Sequence, residues 1–294
     1  MLGRLTYARC MRHFCIYHAG CPDGFGAAWS AQLAWGERGV YVPRGHDDAL
    51  RPREFEGAYL LFADIAPPPQ AYLPLAEQVA QLVVLDHHIS AQRSFEEDPF
   101  LARTLAEAGH EVRFDLTRSG STLAWGALHP DEPLPDLLAY VEDQDLWRWK
   151  LPHSREINAA IGSHPRDFAT WSALAAAPLE ALIEQGAPIL RAFRVEIERA
   201  LANAQPLAIG RLRVEGVNAR TQRAEIGHGL ATRARYGAAC GAVYRIEGRR
   251  VDVSLYSIGE FDVAALAASL GGGGHRNAAG FSVDLADWLA RFVC

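Results

Sequence analysis

The chain contains a single lysine, Lys150, against twenty-eight arginines, so its cationic surface is almost entirely guanidinium. It has no run approaching the roughly 18 apolar residues that a membrane span requires. Its five cysteines (Cys10, Cys15, Cys21, Cys240 and Cys294) are odd in number and form no C-x-x-C pair. That argues against a disulfide framework or a zinc knuckle and fits a reducing compartment, so a cytoplasmic location is the default expectation. Residues up to Arg12 carry three arginines but no apolar stretch of signal-peptide length. They read as a leader before the first strand, with Met11 as an alternative start. No internal repeat is present, and nothing suggests a membrane partner. The net charge of −6 gives no global attraction to nucleic acid. Between Gln205 and Arg250, however, nine arginines face three glutamates, so the basic charge is local.

What is present is an ordinary soluble composition, 49% hydrophobic and 22% charged, in a chain of 294 residues, long enough for two domains. The spacing of apolar runs predicts strands near 13–17, 40–43, 58–63 and 83–85 separated by helical segments, the signature of a parallel sheet with right-handed crossovers. Further helices are expected near 99–108, up to 128 and over 136–141, with a strand at 111–114. From Leu179 to Asn203 the period is helical, and Pro188 is expected to split or kink it. Strands then follow near 208–215, 241–246 and 251–256, with helices over 224–235 and 263–270. The reading is α/β throughout: an N-terminal parallel-sheet domain over 1–185, a helical linker over 186–204 and a smaller α/β domain over 205–294.

Chemistry-bearing residues gather at expected strand ends. Val83-Val84-Leu85-Asp86-His87-His88 is a buried-strand pattern ending in a carboxylate and two imidazoles. In open α/β sheets ligands sit beyond the carboxyl ends of the strands. His18, Cys21 and Asp23 share the turn after the first strand, Asp64 follows the third, and Asp143 and Asp145 sit in an acidic stretch expected to be a loop. Plain alternatives exist for each: Asp23 as a cap on its own helix, Ser119 or Ser121 as a cap on the next, and 142–145 as a solvated acidic turn. Taken together, His18, Asp23, Asp64, His87 and Asp143 form a donor set suited to Mn, Fe, Co or Zn. Two such ions would suit phosphoester hydrolysis by a metal-activated water. In the last third, Gly271-Gly272-Gly273-Gly274-His275-Arg276-Asn277 reads as a phosphate-binding loop, its glycines exposing backbone N–H groups to an anion.

These motifs together, Asp86-His87-His88, His18…Asp23-Gly24, Asp64 and the late Gly-Gly-Gly-Gly-His, resemble the DHH phosphoesterase superfamily over His13 to Val283. The likeness is to the branch with a DHH-associated C-terminal domain, which includes nano-RNases, phosphatases of 3′-phosphoadenosine 5′-phosphate and RecJ-like exonucleases. The resemblance implies a larger metal domain, a smaller substrate-binding domain and a cleft between them. It implies Asp23, Asp64, His87 and Asp143 as ligands of two Mn ions, with Mg, Co, Zn or Fe as alternatives and Asp64 as the bridge. His18 matches the first-loop histidine; Cys21 and Asp145 are further candidate ligands. His88 would contact the scissile phosphate and Asp86 would support an imidazole. Gly273, Gly274, His275, Arg276 and Asn277 would hold the substrate, with Tyr256 stacking on a base or sugar.

Two departures stand out. Cys21 occupies a position where many relatives carry a carboxylate, and Tyr256 one where many carry arginine. The implied activity is metal-dependent hydrolysis of short single-stranded oligonucleotides from the 3′ end. Alternative substrates are 3′-phosphoadenosine 5′-phosphate, cyclic (di)nucleotides or polyphosphate. A reading of another class is a nucleotide-binding module impaired by Cys21. A homodimer is compatible with the sequence, which does not fix the oligomeric state.

Overall fold

A computed structural model describes residues 11–45 and 48–294. Cys10 and the leader up to it lie outside the described residues. The chain divides into two units, one ending at Gly186 and the other running Ala187–Cys294.

The first unit runs β1 (His13–His18), α1 (Pro22–Trp35), β2 (Gly39–Arg44), β3 (Tyr59–Ala63), α2 (Tyr72–Ala76), β4 (Gln81–Asp86), α3 (Ile89–Glu96), α4 (Pro99–Glu107) and β5 (Glu111–Phe114). Five helices follow: α5 (Gly120–Leu128), α6 (Asp136–Asp145), α7 (Ser154–Ser163), α8 (Phe168–Ala176) and α9 (Leu179–Ala202). The five strands are all parallel, in the order β2-β1-β3-β4-β5. Alternate residues go to opposite faces, as the period of two demands. Ile16, Leu60, Phe62, Leu82 and Val84 pack with Tyr72, Leu75, Leu101 and Leu105. Cys15, Leu61, Ala63, Val83 and Leu85 pack with Ala27, Ala28, Leu123 and Ala124. Both faces are covered, which explains why the strands read as continuous apolar runs. In this strand order the crossovers reverse direction between β1 and β3, and the crevice for a ligand opens at that switch point. His18 ends β1 and Asp64 follows β3, so the topology alone brings them together.

The division between the units falls inside α9 rather than in a loop. Pro188 lies within α9 without ending it, so the stretch is one helix rather than two. One end is anchored in the first unit, where Leu182 is buried and Gly186 lies against the Glu156 carbonyl. The other is anchored in the second unit by Ile197, Ala200 and Leu201. Packing at both ends outweighs the missing backbone donor.

The second unit continues with β6 (Gln205–Ile209), β7 (Leu212–Asn218), α10 (Arg223–Arg233), β8 (Cys240–Glu247), β9 (Arg250–Ser257), α11 (Val263–Ala268), β10 (Gly273–His275), β11 (Ala278–Asp284) and α12 (Leu285–Arg291). Its sheet has the order β10-β11-β9-β8-β7-β6, antiparallel except for β7 with β8. The single strand expected near 208–215 is a hairpin, turned at Gly210 with φ +60°. Helix α12 is absent from the sequence reading; Asp284 caps it by accepting from Ala286 N. No helix among the described residues is long and apolar enough to cross a membrane.

Candidate metal centre

Three strand ends of the first unit and the last turn of α6 converge on Asp64. Its backbone has φ +60°, a left-handed conformation that Asp tolerates better than most side chains. One carboxylate oxygen, Oδ1, lies 3.0 Å from His87 Nε2. The other, Oδ2, lies 3.2 Å from Cys21 Sγ and 3.5 Å from His18 Nδ1. Around His87 Nε2 stand two more carboxylates, Asp23 Oδ2 at 3.7 Å and Asp145 Oδ2 at 3.5 Å. Asp64 thus faces His18 and Cys21 with one oxygen and the His87, Asp23 and Asp145 group with the other.

Asp23 is held by a partner that the sequence did not suggest. Its carboxylate accepts from the backbone N–H groups of Gly120 at 2.7 Å and Ser121 at 3.0 Å, the first turn of α5. The cap on Asp23's own helix is instead Cys21, whose Sγ accepts from Gly24 N at 3.2 Å. Ser119 stands at the N-cap of α5 without a side-chain bond to that helix's N–H groups. Asp23 thus caps α5 rather than α1, and Cys21 takes the capping place on α1. Gly120 is required at the close approach: a Cβ there would lie 2.3 Å from Asp64 Cβ.

Asp143, expected as a ligand, is not brought into this group. Its carboxylate is turned away and accepts from Lys150 N at 2.9 Å and Leu151 N at 3.2 Å. There it closes a tight turn in which Trp147 and Trp149 both have positive φ. The stretch 142–145 is the end of α6 rather than a loop, and helical residues two apart diverge by about 200°. Only one of Asp143 and Asp145 can face His87, and it is Asp145. Glu142 braces α5, accepting from Ser119 N at 3.0 Å, and pairs with Arg148 at 2.8 Å.

Asp86 is fully buried and holds the imidazole beside it. Its Oδ1 lies 2.6 Å from His88 Nδ1 and accepts from His87 N at 2.8 Å. Its second oxygen is buried without a hydrogen-bond partner among the described residues.

The electrostatics follow from crowding acids away from water. Burial and then the neighbouring Asp64 and Asp145 push the Asp23 carboxyl well above its ordinary range. Burial, with Asp64 adding to it, pushes Asp145 up to about 6, although 29% of its side chain stays exposed. For Asp64 burial also acts upward, but hydrogen bonds from His18 and His87 outweigh it and hold this carboxyl well below the usual range. Burial alone would lower both histidines. Asp64 and Asp145 instead raise His87 to about 10, and Asp86 raises His88 to about 8. Protons thus act as the counter-charges of this cluster. A divalent cation fits the same place, since the donors are mixed oxygen and nitrogen atoms that lie 3.0–3.7 Å from His87 Nε2 or from an Asp64 oxygen.

In the second unit the glycine-rich stretch is not an open loop. Gly273–His275 is strand β10, paired in register with β11. Gly272 admits the Gly280 carbonyl, which a Cβ would strike at 1.9 Å, so close packing is one use of these glycines. Arg276 bonds Glu260, and Asn277 Nδ2 donates to Ser257 Oγ at 2.9 Å and the Gly259 carbonyl at 3.1 Å. Tyr256 lies against α10, where a Cβ on Gly227 would come within 2.0 Å of its ring, and it is half-buried.

No protein-family model matches the chain. The uncharacterized protein R106 of Acanthamoeba polyphaga mimivirus is 23% identical over 298 residues, covering 91% of this chain and 66% of the viral protein. The chain therefore spans just under two thirds of that relative's length. Among solved structures, a pGpG-specific phosphodiesterase, PggH from Vibrio cholerae, aligns with a TM-score of 0.44 and 8% identity over 96% of each chain. An exopolyphosphatase-related protein from Bacteroides fragilis aligns with a TM-score of 0.45 and 12% identity, over 92% of this chain and 86% of the other.

Proposed function

We propose that this chain is a metal-dependent phosphoesterase of the DHH type acting on short oligonucleotides or related nucleotide phosphoesters. The observation that carries the reading is the convergence of His18, Asp23, Asp64, His87 and Asp145 at the switch point of a parallel sheet. These five residues would hold divalent metal, with Mn the first expectation and Asp64 offering one oxygen to each half of the cluster. When bound, such ions supply Lewis-acid stabilisation of phosphoryl oxygens and a lowered pKa for a coordinated water.

The chain's own residues contribute the rest. The short bond from Asp86 fixes the His88 ring through Nδ1. In the metal-free protein Asp86 raises the His88 pKa to about 8, and the ring so oriented would face a phosphate oxygen. Asp23 is anchored to the α5 N-terminus, so its position does not depend on a flexible loop. One backbone N–H of the Gly273–Gly274 pair, the one facing away from β11, is proposed with His275 to contact the anionic part of the substrate. Arg276 and Asn277 are already engaged within the second unit, and the half-buried Tyr256 is proposed to stack on a base or sugar.

A substrate panel tests the reading: diadenylate, 3′-phosphoadenosine 5′-phosphate, a cyclic dinucleotide and tripolyphosphate, each with Mn, Mg, Co and Zn. Fastest turnover of diadenylate with Mn supports the oligonucleotide assignment. Fastest turnover of one of the others reassigns the substrate, and no turnover of any overturns the enzymatic reading.

A further inference from the structure

The two halves of the cluster differ in kind. Around His87 the donors are carboxylate oxygens and an imidazole. Around His18 they include a thiol, and the three atoms form a compact triangle: Cys21 Sγ to Asp64 Oδ2 3.2 Å, Cys21 Sγ to His18 Nδ1 3.5 Å, and His18 Nδ1 to Asp64 Oδ2 3.5 Å. A tetrahedral ion with bonds of about 2.3 Å to sulfur and 2.0–2.2 Å to nitrogen and oxygen separates its ligands by roughly 3.4–3.6 Å. The triangle meets those edges with shifts of a few tenths of an ångström.

Its placement is also rigid. Cys21 is the N-cap of the 14-residue helix α1, with Sγ accepting from Gly24 N; burial and then the neighbouring Asp64 push its thiol well above the ordinary range, and a bound cation would displace that proton. His18 ends β1, and the φ of +60° at Asp64 aims its carboxylate between the two halves. Among the described residues Cys15 and Cys240 are buried in the cores, so Cys21 is the cysteine placed with other ligand-type side chains.

Building on the metal-centre reading above, we infer that this chain holds two unlike metal ions. His18, Cys21 and Asp64 form a soft, tetrahedral position selective for Zn, Fe(II) or Co(II). Asp23, His87 and Asp145, sharing Asp64, form a harder position that takes Mn or Mg. Thiolate selects borderline and soft metals, whereas carboxylate-rich sites accept the harder ones. The soft ion stays bound through dialysis against Mn, while the hard one exchanges. Purified protein therefore carries one tightly held Zn or Fe per chain under conditions where Mn is replaced freely.

Cobalt reports this directly. Metal-free full-length chain is titrated with Co(II) and followed by absorption, alongside Cys21→Ser and Cys21→Asp. Serine is a good N-cap and aspartate a hard ligand, so both variants keep α1 capped. The expected result is a near-ultraviolet thiolate-to-cobalt charge-transfer band, with tetrahedral visible bands, that saturates at one equivalent. Both variants lose the charge-transfer band, and Cys21→Asp still binds two ions but retains Mn in the position that held Zn. If Co(II) binds to the parent without that band, or if the band persists in Cys21→Ser, the soft position is refuted while the metal centre stands. If no divalent ion binds the parent, both readings fail together.

Discussion

Replacing Gly120 with alanine probes how closely the metal centre depends on one backbone contact. A Cβ on Gly120 would sit 2.3 Å from Asp64 Cβ, 2.6 Å from its Cα and 2.9 Å from its Cγ. Carbon atoms in ordinary contact are no closer than about 3.5 Å, so α5 and Asp64 must part by about 1.2 Å. Helix α5 cannot retreat alone, because Gly120 N and Ser121 N hold the Asp23 carboxylate. The displacement therefore separates Asp64 from Asp23 or breaks that anchor. Overpacking of this kind costs about 1–3 kcal/mol. Misplacing ligand-supporting groups costs about 10–100-fold in metal affinity. Gly162, in α7 with nothing within 4 Å of its built Cβ, provides the control. Gly162→Ala should be stabilising by about 0.5–1 kcal/mol, because alanine loses less chain entropy in a helix. Urea unfolding and metal uptake at equilibrium dialysis measure both effects. Wild-type midpoint and wild-type metal uptake in Gly120→Ala would refute the reasoning.

The two acids at the end of α6 should separate by function. Asp145→Asn should weaken metal binding with little change in stability. Asp143→Asn should keep metal binding but lose about 1–2 kcal/mol as the Lys150 and Leu151 amides lose a charged acceptor. Metal titrations and denaturant curves of the pair decide this, and the opposite pattern would restore Asp143 as the ligand. In the metal-free protein the raised pKa of His87, about 10, contributes stability that is full below its unfolded value and lost as pH rises toward 10. Asp145, raised to about 6, likewise binds its proton more tightly when folded, so stability falls as pH climbs from about 4 to 6. A bound cation replaces these protons, so the rise in melting temperature on adding metal should be larger at pH 8 than at pH 5.5. Calorimetry in two buffers should detect proton release, and a pH-independent metal effect would count against the cluster. Trp288 is 1% exposed and lies against Tyr244 and Phe292; Trp288→Ala should destabilise the second unit by about 3–5 kcal/mol, measurable by urea unfolding.

The parallel sheet was legible because its central strands are short apolar runs bounded by turns, the pattern of strands buried on both faces. The ends of those strands marked His18, Asp64, Asp86 and His87 for the same reason: a polar residue closing a buried run faces the crevice. What was not legible depended on contacts far apart in sequence. Asp23 looks like a cap on its own helix, and only the α5 N-terminus, 97 residues away, shows where its carboxylate goes. Asp145 was distinguishable from Asp143 only by extending the helical period of 136–141 through to 145, which the acidic composition obscured. The glycine run was read as a phosphate-binding loop because glycines expose backbone N–H groups to an anion; its strand character comes from pairing with β11, which glycine permits but does not announce.

The most direct measurement is hydrolysis of a 5′-labelled dinucleotide in Mn by the parent chain and by Asp64→Ala, with folding and metal content determined on the same samples. Asp64 is the residue that touches both halves of the cluster, and its loss should lower bound metal and reduce turnover by at least about 100-fold while the fold survives. Undiminished turnover in Asp64→Ala would contradict the account.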